Sequence, residues 1–169
     1  MMSPKETTWT DFRICDAMSL DVVPCGIHEW QSVEADVIAH FTHDSEPKMT
    51  WMWENRITPQ FPCYGVMHTG WDMVYDTFTA IIPNSESLWL FLEDSLDMEP
   101  KYWAYSGTIV SMMTLLGELP GCDYYLVSKK LAWVVGENHS DVLFAYGDMA
   151  DLLKKQTMYE GKRPSHPHS

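Results

Sequence analysis

The chain has 169 residues, a length that suits one well-filled domain and is short for two. Hydrophobic residues make up 46% and charged residues 21%, so there is enough apolar surface to offset the conformational entropy lost on folding. The 11 Lys/Arg and 24 Asp/Glu give a formal net charge of -13. Because a field of that sign repels phosphate backbones and attracts basic proteins, we expect no direct nucleic-acid binding.

Signals for export, membrane insertion and cofactor binding do not occur in the sequence. The longest apolar run, Leu88–Leu92, is far below the ~20 residues of a membrane span, and the first residues lack the apolar centre of a secretory signal. The four cysteines form no C-x-x-C pair. We therefore expect a cytoplasmic protein that contacts no membrane. No P-loop or Rossmann fingerprint occurs, and we expect no cofactor.

Helical periodicity dominates the first part of the chain. A T-x-x-D capping pattern at Thr8 predicts a first helix over 8–18. After an extended link over 20–26, the apolar residues at positions 30, 33, 37 and 41 form one stripe and predict a second helix. The acidic residues of this helix are expected to face outward, and they are Glu29, Glu34 and Asp36.

The middle of the chain is irregular and then helical again. Prolines and glycines interrupt residues 43–70, which predict a loop with one short element around Trp51 and Trp53. From Trp71 to Ile82 the apolar residues recur at i, i+3, i+4 and i+7, a spacing that predicts a third helix. That helix also carries two acidic residues, Asp72 and Asp76.

The second half of the chain predicts a sheet. Short apolar runs bounded by charge or turn residues predict strands over 88–92, 124–127, 131–135 and 142–146. Helices are predicted from Thr108 to Leu119 and over 148–155, the latter packing Met149, Leu152 and Leu153. The prediction is an α+β fold, an antiparallel sheet of about four strands with helices packed on it. We expect residues 1–157 to form a single domain and residues 158–169 to form a flexible tail.

The most polar segment of the chain, residues 136–141, separates two strands that are apolar on both faces. Asn, Ser and Asp hydrogen-bond their own backbone and tolerate unusual dihedral angles, so the segment is typical of a turn that leaves the core, with an interface as a further role. A catalytic interpretation makes His139 a general base oriented by Glu137 or Asp141, with Ser140 as nucleophile. Immediate neighbours in a chain rarely converge on one point, and this favours the turn.

Two other groups of residues have metal-ligand chemistry. Glu93 and Asp94 end a predicted strand, where paired carboxylates can hold Mg²⁺, but a solvated strand end is favoured. Zinc ligand types also occur in order along the chain, at His40, His43, Cys63 and His68. Their spacing fits no standard zinc motif and is more typical of surface residues. We therefore expect no metal.

Three segments of the second half look familiar: "LWLFLEDS" (88–95), "YWAYSGT" (102–108) and "YYLVSKKLAWVVGENHSDVLFAYG" (124–147). They resemble a family of small, uncharacterised bacterial proteins with a "YYIVSKKYxWLLCENHHDV"-like hairpin. This chain differs at Ser106, Gly136 and Ser140, where the family pattern has Glu, Cys and His. The resemblance implies a protein of toxin-immunity or similar inhibitory type.

The function that we expect is neutralisation of a basic protein partner, such as a nuclease toxin, by an acidic surface that bears aromatic residues. Exposed Trp, Tyr and Met are enriched at partner-binding surfaces, and this chain has eight Trp. The alternative is a small hydrolase or metal-dependent enzyme, which requires the strand end after Leu92 and the segment 136–141 to open at one edge of the sheet. The residues of this alternative are Glu93, Asp94, Glu137, His139 and Asp141. The residues expected to contact the partner are Glu29, Glu34, Asp36, Trp51, Trp53, Asp72, Asp76, Glu137, His139 and Asp141.

Overall fold

A computed structural model describes residues 18–26, 29–43, 57–94, 101–119, 121 and 123–160 of the protein. The predicted helix over 8–18 lies outside the described residues except for Met18, which is in a turn. Trp51 and Trp53 lie outside them as well, as do residues 161–169 of the predicted tail.

Seven antiparallel strands form one sheet in the order β1-β4-β3-β5-β6-β7-β2. The strands are β1 (Val22–Pro24), β2 (Cys63–Met67), β3 (Ser87–Asp94), β4 (Lys101–Thr108), β5 (Tyr124–Ser128), β6 (Trp133–Glu137) and β7 (Val142–Gly147). The α+β class and the antiparallel pairing are confirmed, but the prediction of about four strands is wrong. The predicted strands correspond to β3, β5, β6 and β7, whereas β1, β2 and β4 were not predicted.

The described part of the chain contains four helices, which cover both faces of the sheet. They are α1 (Trp30–Phe41), α2 (Trp71–Ile81), α3 (Ile109–Glu118) and α4 (Met149–Glu160). The last three share one apolar cluster with the sheet, which includes Phe78, Met112, Leu153, Leu90 and Leu126. The first helix belongs to a second cluster on the opposite face, which includes Ile38, Phe41, Phe91, Tyr125 and Val134. Strands β3, β5 and β6 are therefore covered on both faces, which explains their continuous apolar sequences.

Three details of the helices differ from the sequence-based expectation. Glu34 is only 6% exposed, so the prediction that it faces outward is wrong. It lies one turn before Val37 and Ile38, which are in the core, whereas Glu29 and Asp36 are exposed as expected. On α4 the buried leucine is Leu153, and Leu152 is 42% exposed. That helix also continues to Glu160, past the predicted end at 155.

The two edge strands are short. Val22–Pro24 pairs only with β4, and Pro24 is tolerated there because an edge strand can lack one backbone donor. Cys63–Met67 pairs only with β7, and the Tyr64 hydroxyl lies 3.4 Å from Thr157 Oγ1 on α4. Among the described residues, no helix combines the length and the apolar character that crossing a bilayer requires.

Candidate functional site

Five strand ends meet at one end of the sheet, which we call the site end. The register runs from Leu92 of β3 to Tyr124 of β5, to Glu137 of β6, to Leu143 of β7 and to Val66 of β2. The ends of β2, β3 and β6 therefore lie beside the starts of β5 and β7. The strand end after Leu92 and the segment 136–141 do open at the same end, as the enzyme alternative requires.

Residues 138–141 form the turn between β6 and β7, whereas Gly136 and Glu137, which were predicted to belong to the turn, are the last residues of β6. The side-chain oxygen of Asn138 accepts hydrogen bonds from the backbone N–H of Ser140 at 3.0 Å and of Val142 at 3.3 Å. The backbone N–H of Asp141 donates to the Asn138 carbonyl at 3.1 Å. Asp141 itself has φ 57°, a left-handed conformation that Asp and Asn tolerate better than most residues. The turn is therefore fixed by its own polar side chains.

His139 projects from this turn and is paired with a buried acid. Its Nδ1 atom lies 3.2 Å from Oδ2 of Asp123, and the side chains are 50% and 2% exposed. The sequence analysis named Glu137 or Asp141 as the acid that would orient His139, and the structure adds Asp123, 16 residues earlier in the chain. Sequence reasoning missed Asp123, although an Asp directly before a fully buried strand is a visible signal. A buried carboxylate on one ring nitrogen fixes the orientation of the imidazole.

A second histidine lies at the site end, directly after β2. Nε2 of His68 is 2.7 Å from Oε1 of Glu137 and 3.9 Å from Oδ1 of Asp141. The contact with Glu137 is close enough for an ion pair but does not have the geometry of a hydrogen bond. Both ring nitrogens of His68 are buried, and neither has a hydrogen-bond partner within the described part of the chain. We call His68, Glu137 and Asp141 the His68 cluster.

Backbone hydrogen bonds hold the three members of the His68 cluster together. Glu137 ends β6 and pairs with Leu143. The backbone N–H of His68 donates to the Asp141 carbonyl at 2.9 Å and extends the β2–β7 pairing by one step. All three residues are therefore fixed relative to one another by the sheet. The side chains are exposed to different degrees, at 8% for His68, 17% for Glu137 and 74% for Asp141.

The zinc ligands considered from the sequence do not converge. Among the described residues, the one group of three or more His, Cys, Asp and Glu side chains within metal-binding reach is the His68 cluster. Cys63 and His68 flank β2 at opposite ends, roughly 17 Å apart at the rise of a strand. The ring of His40 packs against the ring of Phe41, the last residue of α1, and against the ring of Phe61. Only His68 of the four belongs to the cluster.

The acidic residues predicted to bind a partner are divided between the two faces of the sheet. Asp72 and Asp76 are exposed on α2, and Asp72 is in the first turn, four residues after His68. Glu29 and Asp36 are exposed on or beside α1, which covers the opposite face. The expected residues therefore do not form one continuous surface. The group near the site end comprises Asp72, Asp76, Glu137, His139 and Asp141.

Glu93 and Asp94 end β3 at the site end, opposite Tyr102 and Lys101 of β4. Two strand spacings separate β3 from β6 in the sheet order. The backbone of Glu93 is therefore roughly 10 Å from that of Glu137. The backbone of these two β3 residues therefore lies at the same end of the sheet as the His68 cluster.

Comparison with known proteins gives one match. A family model described as "Family of unknown function (DUF6756)" covers residues 10–157, and the chain belongs to that family. The match is wider than the resemblance in the second half of the sequence and agrees with it that the family is uncharacterised. Neither the curated proteins nor the solved structures contain a significant match.

Proposed function

We propose that this member of DUF6756 binds a basic protein partner through the acidic surface at the site end. The observation that carries the proposal is the excess of exposed carboxylates over exposed lysines among the described residues. The exposed lysines are Lys129, Lys130, Lys154 and Lys155. The exposed acids are Asp21, Glu29, Asp36, Asp72, Asp76, Glu118, Asp141, Asp148 and Asp151.

The distribution of charge along the sheet supports the choice of the site end. Lys129 and Lys130 follow β5 at the end away from Glu137, a strand length of about 17 Å from it. Lys129 is also held there, since its Nζ lies 4.2 Å from the centroid of the Trp89 ring and 2.5 Å from Ser106 Oγ. No lysine with a described side chain belongs to the turn 138–141 or to α2. The exposed side chains described at this end include the carboxylates of Asp72, Asp76 and Asp141 and no lysine, so a cationic partner would meet acidic groups there.

Complementary charge acts mainly on the rate of association, and buried anchors set the rate of dissociation. An immunity or inhibitor protein needs fast capture of its target, which an acidic surface provides by electrostatic steering. The turn 138–141 adds a rigid element to that surface, because its side chains need little ordering on binding. A nuclease toxin is one partner of the required chemistry, since nucleases carry a basic surface for their substrate.

The proposal is tested by capturing binding partners and measuring their affinities. Immobilised protein is exposed to a lysate of the native host, and each retained protein is purified and its dissociation constant is measured at low and high salt. Asp72→Asn/Asp76→Asn should weaken binding of a basic partner by more than tenfold at low salt, and Glu29→Gln/Asp36→Asn on α1 should change it little. The proposal fails if the retained partners are acidic, if affinity does not depend on salt, or if the two double variants bind alike.

A second candidate is a small hydrolase, and the Asp123–His139 pair favours it. A half-exposed imidazole held 3.2 Å from a buried carboxylate is the arrangement of a general base. His139→Gln should abolish hydrolysis of a panel of p-nitrophenyl esters and phosphate diesters, whereas His40→Gln on α1 should not affect it. Equal rates for these two variants, or no turnover by the wild-type protein, would exclude this candidate.

A further inference from the structure

The imidazole of His68 is unusual because its polar atoms are buried but have no hydrogen-bond partner among the described residues. Its side chain is 8% exposed, and both ring nitrogens are buried without a hydrogen-bond partner. An imidazole always offers at least one donor, and a buried polar atom without a partner costs about 1–3 kcal/mol. Native proteins satisfy nearly all such atoms. The ring therefore indicates a ligand that the residues described by the structure do not supply.

The neighbours of the unpaired ring are oxygen atoms of two acids. Glu137 Oε1 and Asp141 Oδ1 lie 2.7 and 3.9 Å from Nε2. One ligand atom from each of the three residues lies within 4.8 Å of the other two. In tetrahedral coordination at ~2.0–2.2 Å, neighbouring ligand atoms are about 3.3 Å apart. Glu137 needs to move slightly away from the ring, and the exposed Asp141 needs to move slightly towards it.

We propose that His68, Glu137 and Asp141 bind a first-row divalent metal ion, with Zn²⁺ as the expected occupant. An imidazole nitrogen with two carboxylate oxygens is a ligand set for Zn²⁺. Mg²⁺ and Ca²⁺ prefer sites made of oxygen atoms alone, so a buried histidine selects against them. Three protein ligands leave the fourth position to water, as in catalytic zinc sites. The inference goes beyond the proposed function and does not depend on it.

Backbone hydrogen bonds fix the positions of the three proposed ligand residues relative to one another. The three residues come from the end of β6, the turn before β7 and the position after β2, and the sheet hydrogen-bonds these segments to one another. Asn138 locks the turn that carries Asp141 through two backbone hydrogen bonds. Ligands held by rigid strands lose little freedom on binding, which favours affinity.

The test is calorimetric titration of the full-length protein with Zn²⁺ after treatment with a chelator. All proteins carry His166→Ala and His168→Ala, so that the C-terminal histidines supply no ligand. The site variants are His68→Gln, Glu137→Gln and Asp141→Asn. The matched controls are His40→Gln, Glu29→Gln and Asp36→Asn, which change the same residue types on or beside α1.

We expect one Zn²⁺ per chain in the parent protein and in each control. Each site variant should bind Zn²⁺ at least about tenfold more weakly. Loss of a residue that only hydrogen-bonds a metal ligand already lowers metal affinity by about that factor. Co²⁺ in place of Zn²⁺ should give a visible absorption band that the site variants lose. Glu137→Gln and Asp141→Asn nearly preserve shape and decide the outcome if His68→Gln does not fold.

Two results would overturn the inference. One is a parent protein that binds no Zn²⁺, because the three side chains then form no metal site. The other is site variants that bind Zn²⁺ as tightly as their controls, because the ion then lies elsewhere.

Discussion

Gly136 is a position in β6 where the surrounding atoms leave no room for a side chain. A Cβ at this position would lie 2.6 Å from Cζ of Phe144 and would also collide with the Tyr124 carbonyl oxygen. Gly136→Ala should therefore destabilise the protein by about 1–3 kcal/mol, the usual cost of overpacking, measured by urea unfolding. Gly121→Ala is the control, because a Cβ there meets nothing within 4 Å. Equal stabilities of the two variants would contradict this account of β6.

The thiol of Cys25 is partly buried beside a carboxylate, and both features raise its pKa. Burial of the thiol, the nearby Glu29 carboxylate and, in the opposite direction, Lys129 together raise the pKa of Cys25 from 9.0 to about 11. Since the thiolate is the reactive form, alkylation of Cys25 by iodoacetamide should be slow at pH 9 and should accelerate up to pH about 11.

Peptide mass spectrometry of the alkylated protein reports each cysteine separately. Glu29→Gln removes a charge that disfavours the thiolate, so it should lower the pKa of Cys25 and accelerate its alkylation at pH 9. Asp36→Asn, farther along the same helix, serves as the control. No change in the Cys25 rate with Glu29→Gln would exclude the electrostatic contribution.

At the scale of elements, α4 supports the edge strand that leads to His68. Leu153 is fully buried in the cluster that Tyr64 of β2 packs against, and the next residue on the N-terminal side, Leu152, is 42% exposed. Leu153→Ala should cost about 2–5 kcal/mol in the free energy of unfolding and should speed hydrogen exchange in β2 more than in β3. Leu152→Ala should have little effect. If Leu152→Ala and Leu153→Ala lowered the free energy of unfolding by similar amounts, the packing described for α4 would be contradicted.

The elements that were predicted correctly are those whose pattern is local. The stripe of α2 and the apolar runs of β3, β5, β6 and β7 are readable because one short segment contains the whole signal. Strand β2 was missed because "CYGVM" has a central glycine and follows a proline, and its partner β7 lies about 80 residues later. Strand β1 is three residues long and contains Pro24. Pairings of that kind depend on the rest of the fold.

The candidate site shows the same limit. The turn 138–141 was predictable from its own composition, as was the exposure of Asp72. The approach of His68 to Glu137 joins residues 69 positions apart and follows only from the β2–β7–β6 register. The pairing of Asp123 with His139 follows from the register of the β5–β6 hairpin. The composition of each segment therefore indicated where polar residues lie, whereas the contacts between them depend on the tertiary structure.

At the scale of the whole molecule, the net charge of -13 predicts a response of stability to salt. Like charges repel more in the compact state than in the unfolded chain, so Tm should rise from about 10 mM to about 1 M NaCl, as the Debye length falls from ~30 to ~3 Å. Thermal unfolding followed by circular dichroism measures this. Asp72→Asn/Asp76→Asn should flatten the rise, and a Tm that falls with salt would contradict the prediction.

The association rate of a basic partner, measured by stopped-flow fluorescence at increasing ionic strength, tests the central claim most directly. If the site end steers the partner, the rate constant of the wild-type protein falls steeply with salt, Asp72→Asn/Asp76→Asn lowers both the rate and its salt dependence, and Glu29→Gln/Asp36→Asn leaves both almost unchanged. A rate constant that is independent of ionic strength, or that responds equally to the two double variants, would contradict the claim.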